Sequence, residues 1–141
     1  MQIRSMSGDD ASAVAALERE LGYHGTASQV AERLASLDLS SDAAFVATDD
    51  QGVTGWIHVH LVQTLTSERR ADILGLVVSE SARRTGVGRA LVAHVEQWAR
   101  GKGLAAVRVR CSVLRAEAHE FYRALGYQTS KRQDVFDKRV S

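Results

Sequence analysis

The stretch that decides the fold runs from Ala82 to Gly103 and reads ARRTGVGRALVAHVEQWARGKG. Gly86 and Gly88 open a run in which Val87, Leu91, Val95 and Trp98, joined by Ala90 and His94, recur at helical spacing. That spacing predicts an amphipathic helix of about four turns, ended by Gly101, Lys102 and Gly103. Immediately upstream, ADILGLVVS (71–79) reads as a buried strand ending near Val78, with Gly75 marking a bulge or a close backbone approach. A strand, a loop and a helix start in this order collect unpaired backbone N–H groups in one concavity, which suits an anion. The glycines let the anion approach the backbone, and Arg83, Arg84 and Arg89 add charged donors. A diphosphate fits such a site; a tight turn into a surface helix is the plainer reading of the glycines alone.

Two familiar phosphate motifs do not apply. The dinucleotide fingerprint needs a third small residue where Leu91 stands, and no Gly-Lys-Ser/Thr follows as a Walker loop requires.

Outward from this segment the chain alternates strand and helix signals. Gln2 to Arg4 reads as a short strand, and SGDDASAVAALERELG as a helix with Ser7 and Asp10 at capping-box spacing and Val14, Leu17 and Leu21 on its apolar stripe. TASQVAERLASL repeats the device with Thr26 and Gln29, then Val30, Leu34 and Leu37. AAFVATDDQGVTGWIHVHLV is a hairpin turning through Asp49 to Gly52, with Ile57, Val59 and Leu61 on one face and Trp56, His58 and His60 on the other. LAAVRVRCSV alternates Val107, Val109 and Cys111 against Arg108 and Arg110; RAEAHEFYRALGY is a helix with Ala118, Phe121 and Leu125 inward and Gly126 as its C-terminal cap. DVFDKRV suggests a last strand. The expected order is β-α-α-β-β-β-α-β-α-β: an α/β (α+β) fold with a mixed central sheet and helices on both faces.

The chain has 141 residues, 45% of them hydrophobic and 25% charged, which suits one domain spanning 1–141. A net charge of +1 gives no general attraction to nucleic acid or to an anionic membrane. No apolar run reaches the ~20 residues of a spanning helix, and no signal-peptide core opens the chain. The single Cys111 rules out an intrachain disulfide framework, and a reducing cytoplasm is the expectation. The sequence contains no proline, a feature without a physical account.

ILGLVVSESARRTGVGRAL resembles motif A of the GNAT superfamily of N-acetyltransferases, Q/R-x-x-G-x-G/A after a strand, with Arg83, Arg84, Thr85, Gly86, Val87 and Gly88 in the pattern. RAEAHEFYRALGY resembles motif B, N-x-x-A-x-x-x-Y-x-x-x-G-F/Y: Ala118, Tyr122, Gly126 and Tyr127 match, while Arg115 stands at the asparagine position. The order of elements fits the family over nearly the whole chain. The resemblance implies a mostly antiparallel sheet and acetyl-CoA as cofactor. It implies that the pyrophosphate sits on the loop around Arg83, Arg84, Thr85, Gly86, Val87, Gly88, Arg89 and Ala90. The pantetheine arm would pair with Leu76, Val77 and Val78, and Arg115 and Tyr122 would complete the cofactor contacts.

The activity so implied is direct transfer of acetyl to a primary amine, small-molecule or protein-borne, in a ternary complex where proximity supplies much of the acceleration. The family admits a homodimer, and no metal is required. Tyr122 matches the family's proton donor to the departing thiolate, and a tyrosine stays protonated at neutral pH; packing against the cofactor is the alternative. Cys111 shares a face with Val107 and Val109 and reads as core. For the amine's proton, Asp72 stands where histone-type members carry a glutamate, on an expected face with Leu74, Leu76 and Val78. His58, His60 and water are rivals. A non-catalytic acyl-CoA sensor or regulatory module is the alternative function.

Overall fold

The β2–β3 hairpin organises the sheet. In the computed structural model, which describes residues 1–141, β1 (Gln2–Ser5), β2 (Asp42–Asp49), β3 (Gly52–Val62), β4 (Arg70–Val78) and β5 (Val107–Val109) form one sheet in that order. The first three pairings are antiparallel and β4–β5 is parallel. The helices are α1 (Ala11–Glu20), α2 (Ala27–Ala35), α3 (Val87–Gly101) and α4 (Ala116–Ala124). None of them is long and apolar enough to cross a membrane. The chain divides into two compact units, Met1–Arg110 and Cys111–Ser141. The mixed, mostly antiparallel sheet expected from the sequence is present, and the element order holds as far as α4.

Within the first unit, cross-strand register sorts the residues onto two faces. Phe45, Ile57 and Leu76 form one rung, and Ala43, Val59 and Ile73 the next. This face packs on α3: a Cβ on Gly55 would stand 3.0 Å from Cγ1 of Val87 and 3.2 Å from Cδ1 of Leu91, and the Phe45 and His94 rings meet edge to face at 4.4 Å. On the opposite face Val46 and Trp56 pack with Ala11, Val14, Ala15 and Val30 of α1 and α2. The centre of the α3 stripe is Val87, Leu91, Val92, Val95 and Ala99; Trp98 is only half-buried, with the Lys102 ammonium over its ring. Leu21, expected inward, lies past the end of α1 and is exposed.

Local signals work as their chemistry requires. Thr26 accepts from the Gln29 amide, and the Gln29 side chain accepts from the Thr26 amide, which caps α2 reciprocally. Asp10 accepts from the Ser7 amide at 2.8 Å and takes both Nη atoms of Arg4 at 2.8 Å, tying β1 to the start of α1.

The bulge expected at Gly75 forms. His58 pairs with Gly75 and Val59 with Ile73, leaving Leu74 without a partner and 55% exposed. A strand alternates faces with period two, so one extra residue reverses every side chain beyond it. Asp72 therefore pairs with His60 on the face of Trp56 and His58, while Leu76 and Val78 pair with Ile57 and Gly55 on the α3 face. The expectation that Asp72 shares a face with Leu76 and Val78 is corrected.

In the second unit α4 begins after Arg115 and ends at Gly126, whose φ of +94 is the left-handed conformation a side chain resists. The Tyr127 amide reaches the Tyr122 carbonyl and the Gly126 amide the Arg123 carbonyl, both at 3.0 Å, closing the helix as a Schellman cap. The strand expected in DVFDKRV does not form, and residues 128–141 adopt no helix or strand. Asp134, Asp137, Lys138 and Arg139 surround the few apolar residues, so the segment offers little apolar face to pair and bury; Val135, Phe136 and Val140 are all exposed.

Candidate active site

The glycine loop is shaped by two left-handed residues. Arg84 has φ +65 and Gly86 φ +91, flanking Thr85, whose hydroxyl donates to the Ala82 carbonyl. A non-glycine residue held in this region costs about 1–3 kcal/mol and clusters at ligand clamps. The first bond of α3 runs from the Ala90 amide to the Gly86 carbonyl at 3.0 Å. The amides of Val87, Gly88 and Arg89 thus have no partner within the helix, and no side chain caps them. Nothing lies within 4 Å of where a Gly86 Cβ would stand. Arg83, Arg84 and Arg89 are exposed, and none enters an ion pair. Free amides, open space and unpaired cations fit a diphosphate.

This loop follows directly from a strand with one free flank. The β4–β5 ladder spans only Ala71 to Ile73 against Val107 to Val109. From Gly75 to Val78, β4 pairs with β3 alone. The Ser79 amide donates to the Thr54 carbonyl at 2.8 Å. By the alternation of an antiparallel ladder, Leu76 and Val78 then turn their amides and carbonyls to the free side. An extended polar chain such as a pantetheine arm can pair there. Leu76 and Val78 on this flank lead along the chain into the loop from Arg83 to Ala90 within the first unit, while Val77 turns its amide and carbonyl to β3 and is buried, as is Val87.

Asp72 lies apart from that surface. It is 4% exposed, and its oxygens accept from Nε of Arg70 and Nη1 of Arg110, both at 2.8 Å. Burial pushes its pKa up, but Arg110 and Arg70 outweigh this and hold it below the ordinary carboxylate value. His58 and His60, both half-buried, share a different carboxylate that the sequence did not single out. Asp42 Oδ1 is 2.8 Å from His58 Nε2, and Oδ2 is 3.2 Å from His60 Nδ1.

In the second unit, Tyr122 is buried and its ring packs edge to face on Phe121 at 5.0 Å and on Tyr127 at 5.7 Å. Burial, reinforced by Cys111 and opposed by Arg115, pushes its pKa up to about 12. Cys111 lies beyond β5 and is half-buried rather than in the core; burial raises its pKa against the pull of Arg115, which keeps it a thiol and a weak nucleophile.

The fold matches solved structures at low sequence identity. A transcriptional regulator from Bacillus halodurans C-125 superposes with a TM-score of 0.86 at 20% identity, over 97% of this chain and 99% of that one. AAC(6')-Iy in complex with the bisubstrate analogue CoA-S-monomethyl-acetylneamine gives 0.82 at 23%, over 98% and 97%. An aminoglycoside acetyltransferase from an uncultured soil metagenomic sample, in complex with sisomicin, gives 0.78 at 18%, over 99% and 96%. No curated protein sequence matches the chain. Residues 11–127 match the Acetyltransferase (GNAT) family, and with motif, fold and glycine loop in agreement the chain belongs to that family.

Proposed function

We propose that this protein is an N-acetyltransferase that moves acetyl from acetyl-CoA to a primary amine by direct attack in a ternary complex. The observation that carries this reading is the unbroken run from the free β4 flank into the uncapped start of α3. The amides of Val87, Gly88 and Arg89, opened by Gly86 and flanked by Thr85 and Ala90, hold the pyrophosphate, the Ala90 amide itself being committed to the Gly86 carbonyl, and Arg83, Arg84 and Arg89 balance its charge. Leu76, Val77 and Val78 align the pantetheine arm. Bound acetyl-CoA supplies an activated thioester. Tyr122, still protonated at neutral pH, donates to the departing sulfur, and Arg115 contributes a cation beside it.

Asp72, expected as the proton acceptor, serves better as the carboxylate that orders Arg70 and Arg110, because a doubly ion-paired group is a weak base. The family match crosses from one compact unit into the other, which supports reading 1–141 as one acetyltransferase domain. Likeness of fold to a sisomicin-bound acetyltransferase supports a small-molecule amine as acceptor. The test is release of free thiol from acetyl-CoA across a panel of primary amines. Amine-dependent turnover is expected; saturable binding without turnover would instead establish an acyl-CoA sensor.

A further inference from the structure

Asp42 opens β2 at 8% exposure, with each carboxylate oxygen committed to a different imidazole. Ser41 Oγ adds a donor to Oδ2 at 3.2 Å. Burial pushes the Asp42 pKa up, but His58 and His60 outweigh this and hold it below the ordinary carboxylate value, so it is ionised near neutral pH. An ionised carboxylate only accepts hydrogen bonds. The facing nitrogens, Nε2 of His58 and Nδ1 of His60, must therefore carry protons. In the neutral rings this leaves Nδ1 of His58 and Nε2 of His60 as bare lone pairs.

The surroundings keep those lone pairs available. His58 pairs across to Gly75 of β4, over which the Trp56 indole lies, at the bulge where the free flank begins, and neither of its nitrogens is bonded to any protein group but Asp42. His60 faces Asp72, already satisfied by Arg70 and Arg110, with Arg108 opposite Asp72 on β5. The His58 and His60 side chains retain 25% and 40% exposure.

We propose that Asp42, His58 and His60 form the subsite that receives the acceptor's ammonium group, with Nδ1 of His58 taking its proton and Asp42 as the positioning residue that fixes both ring tautomers. This rests on the acetyl-transfer reading. Of the ammonium's three protons, one passes to His58 and then to solvent, one stays on the product amide, and one replaces the proton delivered to the departing sulfur. The amine nitrogen bonds to the acyl carbon as the carbon–sulfur bond breaks.

The decisive measurement is ¹⁵N NMR of the imidazoles in the full chain without cofactor. His58 protonated on Nε2 and His60 on Nδ1 is the expected pattern, and Asp42→Ala should abolish the Nδ1 preference of His60. A His60 protonated on Nε2 in the unaltered protein overturns the proposal. The kinetic arm uses spermidine, lysine and sisomicin as acceptors. His58→Gln, which can still donate to Asp42 but is not basic, should lower kcat/KM by about 10²-fold. His58→Ala should regain rate on addition of imidazole. If the unaltered enzyme transfers to none of the amines, the transfer reading fails and takes the subsite with it. If it turns over and His58→Gln matches it, the subsite alone is overturned.

Discussion

The Trp56 indole lies across Gly75: a Cβ on that glycine would stand 2.8 Å from Cη2 of the ring. Trp56 also carries the one buried side-chain donor without a hydrogen-bond partner, its Nε1. The bulge and the indole thus hold each other in place beside the free flank of β4. Gly75→Ala should destabilise the protein by about 1–3 kcal/mol, the usual cost of overpacking. The loss should shrink when Trp56 is also reduced to leucine, since residues in contact do not add. Urea unfolding of the two single variants and the double variant checks this; strict additivity would separate the residues.

Gly86→Asp should remove coenzyme A binding while the protein stays folded. The substitution adds a negative charge at the proposed seat of the phosphates and a side chain at φ +91. Gly86→Ala isolates the backbone strain, about 1–2 kcal/mol, and should retain measurable affinity. Titration calorimetry with coenzyme A distinguishes the two; equal affinity in Gly86→Asp and the unaltered protein would remove the anion site.

Tyr122→Phe keeps the ring that packs on Phe121 and Tyr127 and deletes only the hydroxyl. The expected result is a kcat lower by about 10²-fold with cofactor affinity unchanged. With a pKa of about 12 the phenol stays protonated across the accessible range, so no descending limb near neutrality should belong to it. Steady-state kinetics with a saturating amine reads both effects.

Acid should weaken the fold through Asp10, Asp42 and Asp72. Each is held below its ordinary value of 3.8: Asp10 first by the Arg4 hydrogen bond, the other two by partners that outweigh burial. The sign follows from the depressed folded pKa. Stabilisation is complete above the unfolded value and is lost as pH falls through it towards the folded one. Asp72→Asn should cost about 3 kcal/mol, the low end for removing one partner of a buried pair, because Arg110 is largely solvated. It should also flatten the acid dependence of urea unfolding while leaving the shape of the pH–rate profile intact. A lost ascending limb would make Asp72 the proton acceptor after all.

The glycine loop was legible because its signal is local: strand end, cations, glycines and helix start follow within one segment. Asp42 was hidden by counting. Asp49 pairs with Gly52, and running that register back places Asp42 opposite Val59, on the wrong face. The shift between Ala47 and Thr48 leaves Thr54 as an extra residue and moves Asp42 opposite His60. A second extra residue, Leu74, turned Asp72 over in the same way. A glycine stands at each bulge, Gly75 at the second and Gly55 beside the first, but Gly55 lies so close to the Asp49–Gly52 turn that it did not separate a bulge from the turn itself. The last strand failed for a different reason: propensity in 134–140 came without an apolar face to bury.

The free flank of β4 has a cost outside chemistry. Beyond the Leu74 bulge it offers uncharged residues, Leu76 to Val78, and unmatched amides, with no lysine or proline to blunt them. Such a flank is a template on which another chain can add a strand, the first step of self-association. On the proposed reading, a cofactor lying along it would act as a gatekeeper as well as a substrate. Colloidal behaviour would then follow cofactor supply: the saturated protein would present a finished sheet to its neighbours, and the starved protein an adhesive one.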